Sequence, residues 1–184
     1  MLPFPALGVV AFALFLACIP LANWMIGHVG TVCLPNGPCL IPVAPGVMAP
    51  SGVLMIGLAL VLRDLVQRRL GLHFAFGAIV AGTALSAFLA PPALVIASAA
   101  AFLLSEMADL GVYTPLQKRG LVAAVIASSL VGLVVDSIVF LWLAFGSLEY
   151  LPAQIVGKVW MVLAALPLVH WLRRRDARQG IAPA

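Results

Sequence analysis

Charge is what this sequence has least of. Only 9% of its 184 residues are charged, six acidic and ten basic, where soluble domains carry about a quarter. With 64% of the chain hydrophobic, a soluble protein of this size has too small an interior to hide its apolar surface, whereas lipid solvates it. No polar stretch is long enough to build an appended soluble domain. The common catalytic signatures are missing as well. There is no HExxH, no GxSxG and no phosphate-binding P-loop, so an ATP-hydrolysing motor is excluded and an enzyme reading lacks its nucleophile or metal. His28, His73 and His170 form no cluster, and the three cysteines complete no metal-ligand spacing. Neither a metal nor a cofactor is expected. No Lys or Arg precedes the first hydrophobic run, which is also too long for a signal-peptide core, so it reads as a membrane helix.

What is present is a series of long apolar runs. They predict an all-α polytopic membrane protein, one domain over residues 1–184, with six transmembrane helices at about 6–27, 51–67, 72–89, 93–113, 120–145 and 153–172. A Pro- and Gly-rich loop over 28–50 separates the first two. Pro91-Pro92 makes a tight break, and Thr114-Pro115 stops the fourth helix because proline cannot continue it. The basic residues support this count. Arg68 and Arg69, Lys118 and Arg119, and Arg173, Arg174, Arg175 and Arg178 all fall on one side of a six-span topology. The loops at 28–50, 90–92 and 146–152 hold no Lys or Arg. That places both termini in the cytoplasm. No aromatic residues interleave with the basic clusters, which argues against a nucleic-acid partner. No internal repeat is visible.

Ionisable groups within the spans need a partner, a water-filled cavity or a task. Glu106 and Asp109 stand three residues apart on one helix face, which Tyr113 continues. Such a pair either binds a cation, shares a proton or accepts hydrogen bonds from a ligand; the plain alternative is hydration near the cytoplasmic end. Ser128, Gly132 and Asp136 recur every fourth residue, small side chains that let helices approach. Gln154 and Lys158 share a face of the sixth helix, so Asp136 and Lys158 are expected to meet, as a structural ion pair or as one that a ligand rearranges. Asn23, just after Pro20, either faces a cavity or satisfies the kink. Trp24 and Trp160 read as interfacial anchors or as packing. Arg63 and Asp64 are expected near a membrane face, as part of a helix-end network or gate with Tyr113. Cys33 and Cys39 bracket five residues of the outer loop. They are either a disulfide on the oxidising side or two free thiols. Ala13 and Ala17 form a small-xxx-small pair suited to helix docking.

Ala22-Asn23-Trp24, Pro50-Ser51-Gly52-Val53, Leu62-Arg63-Asp64-Leu65-Val66-Gln67, Ser105-Glu106-x-x-Asp109, Val112-Tyr113-Thr114-Pro115-Leu116, Val135-Asp136-Ser137 and Gly157-Lys158 follow in that order. Together this set resembles the queuosine precursor transporter family, also called the vitamin uptake transporter family, from about Asn23 to Lys158. The resemblance implies a six-helix importer of the bacterial inner membrane, similar to the substrate-binding subunits of energy-coupling-factor transporters. Its implied ligand is a 7-deazaguanine such as 7-cyano-7-deazaguanine. The implied partners are the bilayer and either further copies of the chain or an external energising module. Asn23, Glu106, Asp109, Asp136, Gln154 and Lys158 are the expected substrate-binding residues. The outer loop with its two cysteines has no counterpart in this resemblance.

Overall fold

The computed structural model describes residues 4–35, 37–90 and 92–180. Asn36 of the outer loop and Pro91 of the tight break lie outside the described residues. Among the described residues there are six α-helices, α1 (Phe4–His28), α2 (Val53–Leu70), α3 (Leu72–Leu89), α4 (Val95–Leu116), α5 (Leu121–Phe145) and α6 (Leu151–Gln179), and a short 3-10 turn over Pro92–Leu94. The fold is all-α and polytopic, as its apolar runs require. Five of the helices, all except α2, are long and apolar enough to cross a membrane. Their outer faces show large apolar side chains such as Phe76, Phe88, Ile96, Trp142 and Leu163, the surface that acyl chains cover.

Helix α2 is different in kind. It carries Arg63, Asp64, Arg68 and Arg69, and every residue from Ala59 to Arg69 is buried. It packs against each of the other five helices, so its charges are covered by protein instead of lipid. Arg63 and Asp64, expected near a membrane face, have no exposed surface, because the other five helices pack around theirs. Two apolar cores flank α2. One joins Phe15 and Ile19 of α1 to Leu62 and Val66 of α2, Ala78 of α3 and Phe102 of α4. The other joins Leu60 and Val61 to Tyr113 of α4, Val125 and Leu133 of α5, and Val162 and Val169 of α6.

Three boundaries depart from expectation. Helix α4 includes Pro115 in its last turn, and the Gln117 N–H bonds to Tyr113 O beyond it. Pro115 has no N–H for the Gly111 carbonyl, and the helix ends one residue after it, at Leu116. Helix α6 passes Leu172 and continues to Gln179, since its Arg-rich segment contains no breaker before Gly180. The outer loop holds a small antiparallel sheet of β1 (Val32–Cys33), β2 (Cys39–Ala44) and β3 (Val47–Pro50). Val32 pairs with Leu40, Cys33 with Cys39, and Leu40 with Pro50, with a register irregularity between Pro42 and Ala44. Cys33 and Cys39 are joined by a disulfide across the first pairing. Val43 and Ala49 of the sheet pack on Val53 of α2 and Ala153 of α6.

Candidate functional site

The polar side chains of the bundle interior fall into three layers. The first lines a cavity of about 90 Å3, several times the ~10–15 Å3 that one water requires. It lies at the end of the bundle that carries the sheet and the 146–150 turn. Asn23 of α1, Ser86 of α3, Phe102 of α4, Asp136 and Phe140 of α5, and Gln154 and Lys158 of α6 all reach it. Lys158 Nζ donates to Asp136 Oδ2 at 2.6 Å, to Ser137 Oγ at 2.7 Å and to Gln154 Oε1 at 2.9 Å. These use the three protons of the ammonium group, so the charge is matched and its donors are spent. Asp136 keeps 8% exposure. Asn23 Nδ2 donates to Ile19 O at 3.0 Å, not to the Leu16 carbonyl that Pro20 leaves without its helical donor, and the residue also lines the cavity.

Lys158 reaches this position because α6 crosses α2 closely at Gly57. A Cβ on Gly57 would stand 2.5 Å from the Lys158 carbonyl oxygen, so only glycine permits this approach. The sheet holds the other side of α6. Trp160 Nε1 donates to Val43 O at 2.8 Å. Trp160 and Trp24 are both more than half exposed, as interfacial aromatic residues are.

The second layer lies deeper. Arg63 donates from Nε to Glu106 Oε2 at 3.1 Å and from Nη1 to Gln67 Oε1 at 3.2 Å. Its Nη2 donates to Asp109 Oδ1, and Nη1 stands 3.0 Å from Asp64 Oδ1. The guanidinium also lies over the Tyr113 ring at 5.8 Å. Asp64 Oδ2 accepts from Ser128 Oγ at 3.0 Å. Gln67 continues the network to Thr114 Oγ1 at 3.0 Å. Gly132 lets α5 pass, since a Cβ there would come within 3.1 Å of Asp109 Cβ. Glu106 and Asp109, read as a pair that binds a cation, shares a proton, meets a ligand or is simply hydrated, both contact Arg63, because α2 is central and turns its guanidinium toward α4. Neither lines the cavity.

The third layer closes the opposite end. Asp176 Oδ2 accepts from Arg68 Nε at 2.8 Å, and Asp176 Oδ1 accepts from Arg69 Nη2 at 2.7 Å. This clasp joins the last turns of α2 and α6. Asp176 escaped sequence reasoning because α6 was ended at Leu172; its signal was a lone acid inside Arg173-Arg174-Arg175-Asp176. Ser137, Gln67 and Thr114 stood within quoted motifs without a role, since small polar residues in apolar helices look alike until their neighbours are known.

The expected substrate-binding residues therefore separate into two groups. Asn23, Asp136, Gln154 and Lys158 gather at the cavity, while Glu106 and Asp109 join Arg63, Asp64 and Tyr113 below it. No curated protein and no solved structure matches the chain. Residues 84–172, from the end of α3 into α6, match the family model described as "Putative vitamin uptake transporter". The matched stretch holds the Glu106–Asp109, Asp136 and Lys158 motifs but not those of α1 and α2.

Proposed function

We propose that this chain imports a queuosine precursor, 7-cyano-7-deazaguanine or a related 7-deazaguanine, across the bacterial inner membrane. In this reading all six helices cross, both termini are cytoplasmic, and the cavity faces outward. The observation that carries it is the cavity wall of Asn23, Asp136, Gln154 and Lys158, at the end of the bundle whose loops lack Lys and Arg. Asp136 and Lys158 cancel, so the wall suits an uncharged ligand. A guanine-like base presents adjacent N–H donors on its pairing edge, and the Asp136 carboxylate accepts them with charge-assisted strength. Asn23 and Gln154 serve the carbonyl or nitrile side, and Phe102 and Phe140 cover the flat ring. Arg63, Asp64, Glu106, Asp109 and Tyr113 form a closed layer between this site and the cytoplasm.

The test is ligand binding by the purified chain, with uptake in cells unable to make the base. We expect 7-cyano-7-deazaguanine to bind and a carboxylate-bearing vitamin not to. The Asp136→Asn variant should lose at least about tenfold in affinity, or 1.4 kcal/mol. Preferred binding of the charged vitamin overturns the assignment. Transport by the chain alone in liposomes separates a self-sufficient importer from a binding subunit that needs an ATP-hydrolysing partner.

A further inference from the structure

Below the cavity the charges do not balance. Arg63 is the one cation, among the described residues, in contact with Asp64, Glu106 and Asp109. All four side chains are essentially without exposed surface. The next cations are committed elsewhere: Lys158 to Asp136, and Arg68 and Arg69 to Asp176. Fully ionised, the cluster carries two uncompensated negative charges in the middle of a membrane protein. A protonated carboxyl is far less costly there than a bare carboxylate.

The contacts locate the proton. Asp64 and Asp109 both contact Arg63, and Asp64 Oδ1 and Asp109 Oδ2 are buried without a hydrogen-bond partner among the described residues. Ionised carboxylates only accept hydrogen bonds, so a proton held by one of the two supplies the donor that these oxygens lack. A separate observation gives the path. The Tyr113 hydroxyl and Gln117 Oε1 are buried and lack hydrogen-bond partners among the described residues. Tyr113 lies on α4 and Gln117 caps its end four residues later, and the Arg63 guanidinium that contacts Asp64 lies over the Tyr113 ring. From the cluster they lead toward the basic end. On the other side Glu106 lies only one turn, about 6 Å, below Phe102 of the cavity floor. The groups facing the pair are Arg63 and Gln67 of α2, Glu106 and Tyr113 of α4, and Ser128 of α5. Asp136 and Cys18 of α1 also bear on Glu106 electrostatically.

We propose that Asp64 and Asp109 form a proton-binding site distinct from the ligand cavity. A proton enters from the cavity side, is held between the two carboxyls while Arg63 keeps Glu106, and leaves past Tyr113 and Gln117. Import would then be driven by inward proton movement. The coupling role rests on the importer reading; the proton site itself does not.

Two measurements test it. Infrared spectra of the purified chain in lipid nanodiscs, without ligand, should show the carbonyl stretch of a protonated carboxyl at neutral pH. Asp64→Asn and Asp109→Asn should each diminish it, and absence of the band in the unaltered chain overturns the site. In proteoliposomes, an inward gradient of one pH unit should concentrate 7-cyano-7-deazaguanine up to about tenfold, one proton per molecule. Asp64→Asn should abolish this accumulation yet retain ligand binding. Gradient-independent uptake, or accumulation driven by sodium, overturns the coupling. A preserved carboxyl band with no binding of any 7-deazaguanine overturns the importer reading and leaves the proton site standing.

Discussion

Lys158 and Asp136 meet across α5 and α6 at 2.6 Å, and Lys158 has no other acidic contact among the described residues. Because both are buried, removing one strands the other. Lys158→Met should destabilise the protein by about 3–5 kcal/mol. Adding Asp136→Asn to it should restore most of that loss, since the stranded charge disappears. Chemical denaturation in detergent measures both, and equal instability of single and double variants would contradict the pairing.

Gly57 supplies a steric test of the same wall. An alanine there meets the Lys158 backbone, which cannot swing aside as a flexible side chain would. Gly57→Ala should cost about 1–3 kcal/mol through overpacking and weaken ligand binding by moving Lys158. Gly77→Ala on α3 meets nothing within 4 Å and should be neutral or slightly stabilising through helix propensity. Thermal unfolding and ligand titration of the two variants give the comparison.

These residues show which parts of the molecule were readable beforehand. Asp136 and Lys158 were expected to meet because they are opposite charges at similar depth on consecutive helices. The burial of Arg63 was not legible because an eighteen-residue helix with charges toward its end looks like a membrane-face anchor. Only the packing of five neighbours around α2 reveals it, and that is a tertiary fact. The sheet was hidden for a local reason. Its strands span two, six and four residues, and Pro42 and Pro50 interrupt any alternating pattern. The end of α6 was misjudged because apolarity was followed instead of helix propensity, which the arginines sustain.

The clasp at the basic end makes its own prediction. Asp176→Ala removes the acceptor of both Arg68 and Arg69. Hydrogen bonds to charged groups contribute about 1.5–3 kcal/mol, so a loss of that order is expected. Arg68→Gln alone should cost less, because Arg69 keeps Asp176 paired. If the clasp restrains opening toward the cytoplasm, cross-linking between the ends of α2 and α6 should fall in Asp176→Ala. Unchanged cross-linking with unchanged stability would show that the contact does not hold the helices.

The disulfide-closed sheet positions the cavity's rim. The Cys39 carbonyl accepts from the Ser51 N–H at 3.0 Å, and Ser51 Oγ donates to Met25 O at 2.7 Å. Neighbouring Pro50 and Gly52 line the cavity, while Val43 holds Trp160 of α6. One small sheet thus ties together the ends of α1, α2 and α6. A loop this short should lose about 2 kcal/mol of restraint when the disulfide opens. The helical bundle, buried elsewhere, should stay folded. Cys33→Ser with Cys39→Ser should therefore leave helical circular dichroism unchanged, alter Trp160 fluorescence, and weaken ligand binding by about tenfold, 1.4 kcal/mol. Reduction of the unaltered protein from the outer face should reproduce the change, and reduction of the double variant should do nothing further. Unaltered affinity in both experiments would confine the sheet to a passive cover.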